Sequence, residues 1–270
     1  MHVVTMRDVV DRPVECAAIR YTRSGEIFAA NDAVQQESVL HIDLNGQPVM
    51  SIVCSKGDLT DLVIGRLYTD GMISAAADIT RLSVDGDSLR AEVRTGAAHQ
   101  GDQTRRESRA ERIEPIVWTP EWILRMAEVF AEDKTSHART HGMHSAYLAI
   151  PDAVLCMRED IGRHNAFDKV VGWALSHDVD LSHCMLFTSG RVPTDMVTKA
   201  LHARIPLLVS KAVATDKAVE IAQRSGLALI CNASPDAFDV MTAPSLPDAS
   251  RGSLFNSRTN LHAPSLLATA

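Results

Sequence analysis

Cysteine is scarce in this sequence and is never paired. The chain has 270 residues and five cysteines, and the pattern C-x-x-C does not occur. The odd number and the wide spacing argue against a disulfide framework and against a cysteine-rich zinc site, and they favour a reducing compartment. We therefore expect a cytoplasmic protein that binds no zinc. The cysteines are Cys16, Cys54, Cys156, Cys184 and Cys231.

An excess of positive charge and long apolar runs are lacking as well. The net charge is −7 and the isoelectric point is about 5.9, so nucleic acid is not expected as a partner. No apolar run reaches the length of a transmembrane helix. The N-terminus has neither the basic start nor the apolar stretch of a signal peptide. We therefore expect no association with a membrane.

Residues 1–95 carry the signals of a small α+β unit made of hairpins and one helix. Apolar runs at 39–44 and 48–53 flank Asn45-Gly46, which is a strong hairpin signal. An amphipathic helix follows, and a second hairpin comes after it. The first thirty-odd residues carry weak signals, from which we expect only short, irregular structure.

Two stretches have the composition of mobile chain. Between Gly96 and Glu114 there is one isoleucine and no aromatic residue, and arginines alternate with acidic residues. This composition predicts a mobile linker over residues 96–115 and a domain boundary there. Residues 243–270 are rich in Ser, Pro and Ala, which predicts a disordered tail.

Residues 116–242 predict an α/β domain. Helical periodicity and short apolar runs alternate in the order α-β-β-α-β-α-β-α-β. Helices between strands imply right-handed crossovers, and hence a mostly parallel sheet with the first hairpin at one side. The element order resembles the cytidine-deaminase-like fold. The predicted fold class is α/β, with such a mixed sheet and helices on both of its faces.

The stretch E-D-I-G-R-H-N-A-F-D-K-V-V-G carries the main candidate site. Its second half has helical periodicity, so Arg163 and His164 stand where a helix begins, beside free N–H groups and the positive end of the helix dipole. Such a place suits an anion, phosphate above all. We expect Asn165 to cap this helix, with Asp168 as the acidic partner.

A second polar loop is predicted at the same edge of the sheet. Ligands of such sheets lie outside the carboxyl ends of the strands, and Ser189-Gly190-Arg191 follows a strand there. Its glycine permits close backbone approach, and its guanidinium can bind phosphate with two nitrogens. For Arg163 the structural alternative is a tie to Asp160. For Arg191 it is a salt bridge with Asp195 or Glu159.

The two helix starts exclude zinc-dependent deamination. Zinc deaminases need a His or Cys beside a Glu at one helix start and P-C-x-x-C at the next. Arg163-His164-Asn165 and residues 189–193 contain no cysteine. His141 and His144 have the spacing H-x-x-H, but a glycine lies between them, and we expect no metal site there.

Several motifs point to one family. They are E-D-I-G-R-H-N-A-F-D-K-V-V-G, F-T-S-G-R-V-P-T-D-M-V-T-K-A, T-H-G-M-H-S-A, and L-N-G-Q-P-V followed by K-G-D-L-T-D-L-V-I-G-R-L-Y-T-D-G-M-I. These motifs resemble signatures of the formate dehydrogenase accessory sulfurtransferase family, FdhD. The resemblance runs from about Glu37 to Thr242.

The resemblance implies a deaminase-like domain without zinc that forms a homodimer. It implies sulfur transfer from a cysteine desulfurase to a molybdenum bis-guanine-dinucleotide cofactor, before insertion of that cofactor into formate dehydrogenase. The guanine dinucleotide is an anionic phosphate ligand, for which guanosine diphosphate serves as a proxy. The cofactor-binding residues implied in this sequence are Arg163, His164, Asn165, Ser189, Gly190, Arg191, His144, Asn232, Ala233, Ser234, Pro235, Asp236 and Ala237.

Two departures from the family pattern bear on sulfur transfer. The family's C-x-x-C belongs in the loop between the two halves, but residues 96–114 contain no cysteine. A persulfide needs an accessible thiolate, so the expected carrier is missing, and Cys231 at the end of the last predicted strand is the best substitute. In addition, the family's Arg/Gly-rich turn corresponds here to residues 232–237, which contain neither arginine nor glycine.

Three functions stay open at this point. The first is an accessory protein for formate dehydrogenase maturation that carries sulfur. The second is a non-catalytic chaperone that binds a nucleotide or molybdopterin cofactor and has lost the sulfur-carrying cysteine. The third is a scaffold that kept the fold and lost the ligand.

Overall fold

Thirteen strands and five α-helices build the part of the chain that the structure, a computed structural model, describes, namely residues 2–6, 13–96, 112–132 and 142–243. The strands are β1 (His2–Met6), β2 (Val14–Tyr21), β3 (Ile27–Val34), β4 (Ser38–Leu44), β5 (Gln47–Cys54), β6 (Ile79–Asp85), β7 (Arg90–Thr95), β8 (His144–Ile150), β9 (Ala153–Asp160), β10 (Met185–Thr188), β11 (Leu207–Ser210), β12 (Ala228–Cys231) and β13 (Asp239–Thr242). The helices are α1 (Leu59–Thr69), α2 (Pro120–Glu132), α3 (Arg163–Ser176), α4 (Thr194–His202) and α5 (Asp216–Ser225).

The first sheet has the strand order β1-β6-β7-β4-β5 and contains both predicted hairpins. The β4–β5 hairpin turns at Asn45 and Gly46, whose φ angles are 54° and 82°. Positive φ at both central residues is what a tight turn between twisted strands requires, and Asn-Gly tolerates it. The helix predicted after this hairpin is α1, and the second predicted hairpin is β6–β7.

The expectation of irregular structure in the first thirty-odd residues is wrong. Strand β1 adds to the edge of the first sheet, parallel to β6, and β2 and β3 form a separate two-stranded antiparallel sheet. Nearly every residue of β2 and β3 is exposed. Neither face of that hairpin is buried, so its sequence lacks the alternation of apolar and polar residues by which strands are found.

The second sheet is mixed, with the order β13-β12-β11-β10-β8-β9. Strands β10, β11 and β12 run parallel, whereas β8, β9 and β13 pair antiparallel with their neighbours. The mixed sheet is confirmed, but the expectation of a mostly parallel sheet is wrong. The β8–β9 hairpin makes one side antiparallel, and β13, which was not predicted, returns along β12 at the other side.

Helices cover both faces of the second sheet, as predicted. On one face, Trp122 and Ile123 of α2 share an apolar cluster with Tyr147 and Phe187 of the sheet. On the other face, α3, α4 and α5 share a cluster with alternate residues of the same strands. Within the described residues, no helix is both long enough and apolar enough to cross a bilayer.

The two sheets are joined through α1, which packs against α3. Residues such as Leu40 and Ile42 of the first sheet belong to the same buried cluster as Phe167 and Val170 of α3. The predicted division into residues 1–95 and 116–242 stays a prediction. The bulk of the predicted linker, 97–111, and the predicted tail beyond residue 243 lie outside the described residues.

Candidate functional site

Helix α3 begins at Arg163, as predicted, but not with the predicted cap. Gly162 is the N-cap residue, and its N–H donates to Asp160 Oδ1 at 2.9 Å. Asn165 lies in the first turn, where its Nδ2 donates to Asp160 Oδ1 at 2.9 Å and to the carbonyl of Val53 at 2.7 Å. The prediction that Asn165 caps the helix is wrong, because these acceptors draw its amide into the protein.

Asp160 is fully buried and organises the loop that precedes Arg163. Its Oδ2 accepts from the N–H and the hydroxyl of Ser55, both at 3.1 Å, and lies 2.7 Å from Lys169 Nζ. Lys169, also fully buried, donates to the Ser55 hydroxyl and to the carbonyl of Glu159. The cation that pairs with Asp160 is therefore Lys169, and the alternative of an Arg163–Asp160 tie is wrong.

Asp168 was predicted as the acidic partner of a cap, and this too is wrong. It is fully buried and bonds through both carboxylate oxygens to Lys199 Nζ at 2.8 and 2.9 Å, and through one to the Thr69 hydroxyl at 2.8 Å. Burial raises the pKa of Asp168, and the ammonium of Lys199 opposes that rise. The three side chains tie together α1, α3 and α4.

The two predicted polar loops meet at Arg163 and Gly190. A Cβ placed on Gly190 would lie 2.7 Å from Cβ and 2.9 Å from Cδ of Arg163, so only glycine leaves room for this side chain. Arg163 Nε is buried and has no hydrogen-bond partner in the described part of the chain. A buried donor without an acceptor is costly, so the position favours an anion as partner.

His144 and Ser189 lie together beside this contact. Ser189 Oγ accepts from the N–H of Ser145 at 3.0 Å and lies 3.2 Å from His144 Nδ1. The hydroxyl of Ser145 is buried without a hydrogen-bond partner among the described residues. Ser189 and His144 are thereby held at the same edge of the sheet as Arg163.

His164 faces Asp195 at the start of α4. Its Nε2 lies 2.7 Å from Asp195 Oδ2, but the two groups are not aligned as a hydrogen bond. The contact therefore stabilises the protonated ring by charge alone. Burial lowers the pKa of His164, and the carboxylate of Asp195 opposes that effect without overcoming it.

An open groove of about 1000 Å³ runs from Arg163 along the starts of α4 and α5. Neither N-cap residue caps its helix with a side chain, although the N–H of Met196 in the first turn of α4 donates to Asp195 Oδ1 at 3.0 Å. The groove is lined by Thr69, Asp70, Met72, Arg163, Pro193, Thr194, Asp195, Thr198, Lys199, His202, Thr215, Asp216 and Lys217. Two uncapped helix starts and one arginine form a place suited to phosphate groups.

Arg191 is exposed, and neither structural alternative for it is found. Among the described residues it forms no ion pair with Asp195 or with Glu159. The carboxylate of Asp195 lies against His164 instead. The guanidinium is thus available at the edge of the sheet next to Gly190.

The turn at residues 232–237 extends the same edge. The N–H of Ala233 donates to the carbonyl of Ser210, and the hydroxyl of Ser210 donates to the carbonyl of Gly190 at 2.7 Å. Ser234 and Ala237 close the turn through mutual hydrogen bonds. Asn232 is exposed, and its Nδ2 donates to Asp239 at 2.7 Å. The residues implied by the family motifs therefore share one edge of the sheet.

Four of the five cysteines are buried. Cys231 is 1% exposed, and burial raises the pKa of its thiol to about 11. Burial likewise raises the pKa of Cys156 to about 12 and of Cys184 to about 11, and Cys54 is fully buried. Cys16 on β2 is the exposed cysteine. Thiols so strongly protonated are poor nucleophiles, which weighs against Cys231 as a sulfur carrier.

No group of three or more metal-ligating side chains is found in the part of the chain that the structure describes. His144 lies within that part and neighbours Ser189. His141 lies outside the described residues, so the H-x-x-H pair is not described.

Sequence reasoning missed the buried cations that support the site. Lys169 and Lys199 stand at core-facing positions of α3 and α4, where a charge needs a buried partner. The core-facing positions of the two lysines could be read from the sequence. Their partners could not be predicted, because Ser55, Thr69 and the two aspartates lie in other segments of the chain.

The fold and the site define a mixed α/β protein with a polar groove at two helix starts. The chain belongs to the FdhD/NarQ family, whose model matches residues 35–246. It is 30% identical over 244 residues to the Sulfur carrier protein FdhD of Geobacillus kaustophilus, covering 82% of this chain and 92% of that one. The protein of the same name from Mycobacterium tuberculosis is 28% identical over 262 residues, covering 83% and 95%.

A solved structure has the same fold. The crystal structure of a formate dehydrogenase accessory protein from Desulfotalea psychrophila aligns with a TM-score of 0.74, covering 86% of this chain and 98% of that one. Its sequence identity is 24%, so the likeness concerns the fold. The mixed α/β class is thereby confirmed, and the cytidine-deaminase-like description stays a prediction.

Proposed function

We propose that this protein serves formate dehydrogenase maturation in the cytoplasm, as an accessory protein that carries sulfur to a molybdenum cofactor. The family relatives named as sulfur carrier proteins support the reaction class. The name of the structural neighbour supports formate dehydrogenase as the enzyme served. The unpaired cysteines support a reducing compartment.

The observation that carries the proposal is the buried, unpartnered Nε of Arg163. A guanidinium in this state gains from any anion that reaches it, because the desolvation of its N–H is otherwise uncompensated. It lies against Gly190 and lines the groove at the starts of α4 and α5. A diphosphate that bridges Arg163 and these two helix starts would accept hydrogen bonds from the guanidinium and from N–H groups at both helix starts.

The substrate we infer is the bis-guanine-dinucleotide form of the molybdenum cofactor. Its phosphates suit Arg163, Arg191 and the uncapped helix starts, while its bulk requires an open groove rather than a closed cavity. The groove also contains Asp195 and Asp216, which repel phosphate, so the arginine side of the groove is the side that binds it. His144, Ser189 and the turn at 232–237 supply further polar contacts.

A cysteine desulfurase is the partner that supplies sulfur in this proposal. The transfer requires a thiolate of this chain to accept the sulfur atom, so that a persulfide forms and is then passed on. The family resemblance further implies that two copies of the chain act together.

A second candidate function has one observation in its favour. Cys231 and the three other buried cysteines are disfavoured as nucleophiles, and the stretch in which the family carries C-x-x-C has no cysteine. A chaperone that binds the cofactor without carrying sulfur needs only the anion-binding edge. This protein would then protect or deliver the cofactor.

Calorimetric titration with guanosine diphosphate tests the binding of a phosphate ligand, which both candidate functions require. Wild type is expected to bind, and Arg163→Ala and Arg191→Ala are each expected to weaken binding roughly tenfold, because each removes a charge-assisted contact. Arg224→Ala is the matched control, since Arg224 is exposed on α5 and pairs with Glu220. Absence of binding by wild type at millimolar ligand would refute the anion site.

Peptide mapping after incubation with a cysteine desulfurase and cysteine separates the two functions. One added sulfur on one cysteine identifies a carrier, and the test names which cysteine it is. No added sulfur on a folded protein that binds guanosine diphosphate favours the chaperone.

A further inference from the structure

The start of α3 places an imidazole next to a guanidinium beside the groove. His164 directly follows Arg163, and its side chain is 25% exposed. Its Nε2 atom is buried, lies 2.7 Å from Asp195 Oδ2, and has no aligned hydrogen-bond partner in the described part of the chain. The ring is thus held against two groove residues, Arg163 and Asp195, whose charges are opposite.

The charges around this ring nearly cancel when the ring is neutral. Within the described residues, those that act most strongly on it are Arg163 and Asp168 on α3 and Asp195 and Lys199 on α4. Lys199 and Asp168 neutralise each other, because the ammonium donates to the carboxylate at 2.8 Å. The carboxylate of Asp195 then opposes the guanidinium of Arg163. A phosphate group that enters here therefore meets repulsion as well as attraction.

A proton on His164 changes this balance. The imidazolium would pair with the carboxylate of Asp195, which would then no longer oppose Arg163. The site would carry one net positive charge beside the unpartnered Nε of Arg163. In the free protein, burial lowers the pKa of the ring below its ordinary value of about 6.5, so the ring is mostly neutral at pH 7.

We propose that His164 takes up a proton when a phosphate ligand binds at Arg163, so that the two side chains act together as a pair of cations. The proton comes from the solvent and stays on the ring, and no covalent bond to the ligand forms. This inference rests on the proposed function, because it names the regulation of the same groove.

The linkage works in both directions. An anion within about 6 Å favours the protonated form of an imidazole by about one pH unit or more. Because such coupling is reciprocal, a more acidic solution tightens the binding of the anion. The linkage also gives Asp195 a function in a groove for phosphate. Its carboxylate weakens anion binding while His164 is neutral, and it stabilises the imidazolium once the ligand is bound.

Proton–carbon NMR of the histidine rings in the full chain tests the linkage. Saturating guanosine diphosphate is expected to move the titration midpoint of His164 upward by about one pH unit or more. Loss of the signal in His164→Asn assigns it. His202 is the internal comparison and is expected to move less, because it lines the same groove but its Nδ1 lies 2.8 Å from the carbonyl of Thr69.

A second probe removes the titration of the ligand itself. Sodium sulfate keeps a constant charge over this pH range, and it is expected to move the His164 midpoint in the same direction as guanosine diphosphate. Sodium chloride at equal ionic strength is the control, since general screening acts in both solutions.

Calorimetry in buffers of different ionisation enthalpy counts the protons. At pH 7, wild type is expected to take up about half a proton more per guanosine diphosphate than His164→Asn. The ligand's own titration is common to both proteins, so the difference belongs to the ring. Between pH 8 and pH 6, the affinity of wild type is expected to rise about fivefold more than that of the variant.

Asp195→Asn tests the same balance from the acidic side. It is expected to raise the affinity for guanosine diphosphate at pH 8 about threefold or more, because it removes the charge that opposes Arg163. The asparagine retains an oxygen for the N–H of Met196, which donates to Asp195 Oδ1 at 3.0 Å.

The outcomes separate this inference from the proposed function. Equal proton uptake by wild type and His164→Asn, or a His164 midpoint that bound guanosine diphosphate leaves in place, overturns the linkage while the anion site stands. Loss of the uptake in His202→Asn instead would assign the proton to the other ring and overturn it as well. A wild type that binds no guanosine diphosphate refutes both.

Discussion

Gly65 of α1 and Gly172 of α3 face each other where the two helices cross. A Cβ on Gly65 would overlap the carbonyl oxygen of Asp168 and lie 2.8 Å from the nitrogen of Gly172. A Cβ on Gly172 would overlap the carbonyl of Asp61 and lie 2.8 Å from the nitrogen of Gly65. The two backbones are in direct contact, so α1 and α3 pack at a distance that only glycine permits at these two positions.

Gly172→Ala is expected to destabilise the fold strongly. The added methyl group meets backbone on the other helix, which cannot move aside as a side chain can, and the cost is about 3 kcal/mol or more. The free energy of unfolding in urea measures it. Gly57→Ala is the control, because no atom lies within 4 Å of a Cβ at that position. Equal stability of the two variants would show that the crossing adjusts freely.

Lys169→Met is expected to cost about 3–5 kcal/mol, because it leaves the buried carboxylate of Asp160 without its cation. The urea midpoint measures the loss. Lys217→Met removes an exposed pair with Glu220 and is expected to leave the midpoint unchanged. A small effect of Lys169→Met would mean that the hydrogen bonds from Ser55 suffice to stabilise the charge of Asp160.

His164 is expected to make the fold sensitive to acid. Its pKa is lowered in the folded protein, so its contribution is fully present above the ordinary value of 6.5 and is lost as the pH falls through the folded value. His164→Asn should therefore reduce the loss of stability between pH 7 and about pH 5. Urea denaturation at several pH values measures this slope.

The control for this pH dependence is His183→Asn, since His183 is exposed and pairs with the exposed Asp180. It should leave the slope as in wild type. An unchanged slope in His164→Asn would mean that the contact with Asp195 offsets the burial of the ring.

Gly190→Ala is expected to weaken guanosine diphosphate binding about tenfold or more. The methyl group would lie 2.7 Å from Cβ and 2.9 Å from Cδ of Arg163, so the start of α3 would shift together with this side chain, and the displaced guanidinium would lose a charge-assisted hydrogen bond. Calorimetry on the variant measures the affinity. Gly96→Ala, which has open space at its Cβ, is the control. Undiminished affinity in Gly190→Ala would contradict Arg163 as the phosphate contact.

Local signals in the sequence determined many elements of this protein. The Asn45-Gly46 turn and the helix start at Arg163 appear where the sequence predicts them. A turn residue or an apolar periodicity acts over a few neighbouring positions, so the chain needs no distant partner to express it. The position of Arg163 and His164 at a helix start belongs to this class.

Only the tertiary structure decided which polar groups bind each other. Ser55 and Asp160 are 105 positions apart, yet their hydrogen bonds order the loop before Arg163. Asn165 is a good cap by its chemistry, but Val53 and Asp160 offer it buried acceptors that outcompete the helix end. A buried donor or carboxylate takes the partner that the fold brings near, because leaving it unpaired costs more than losing a local cap.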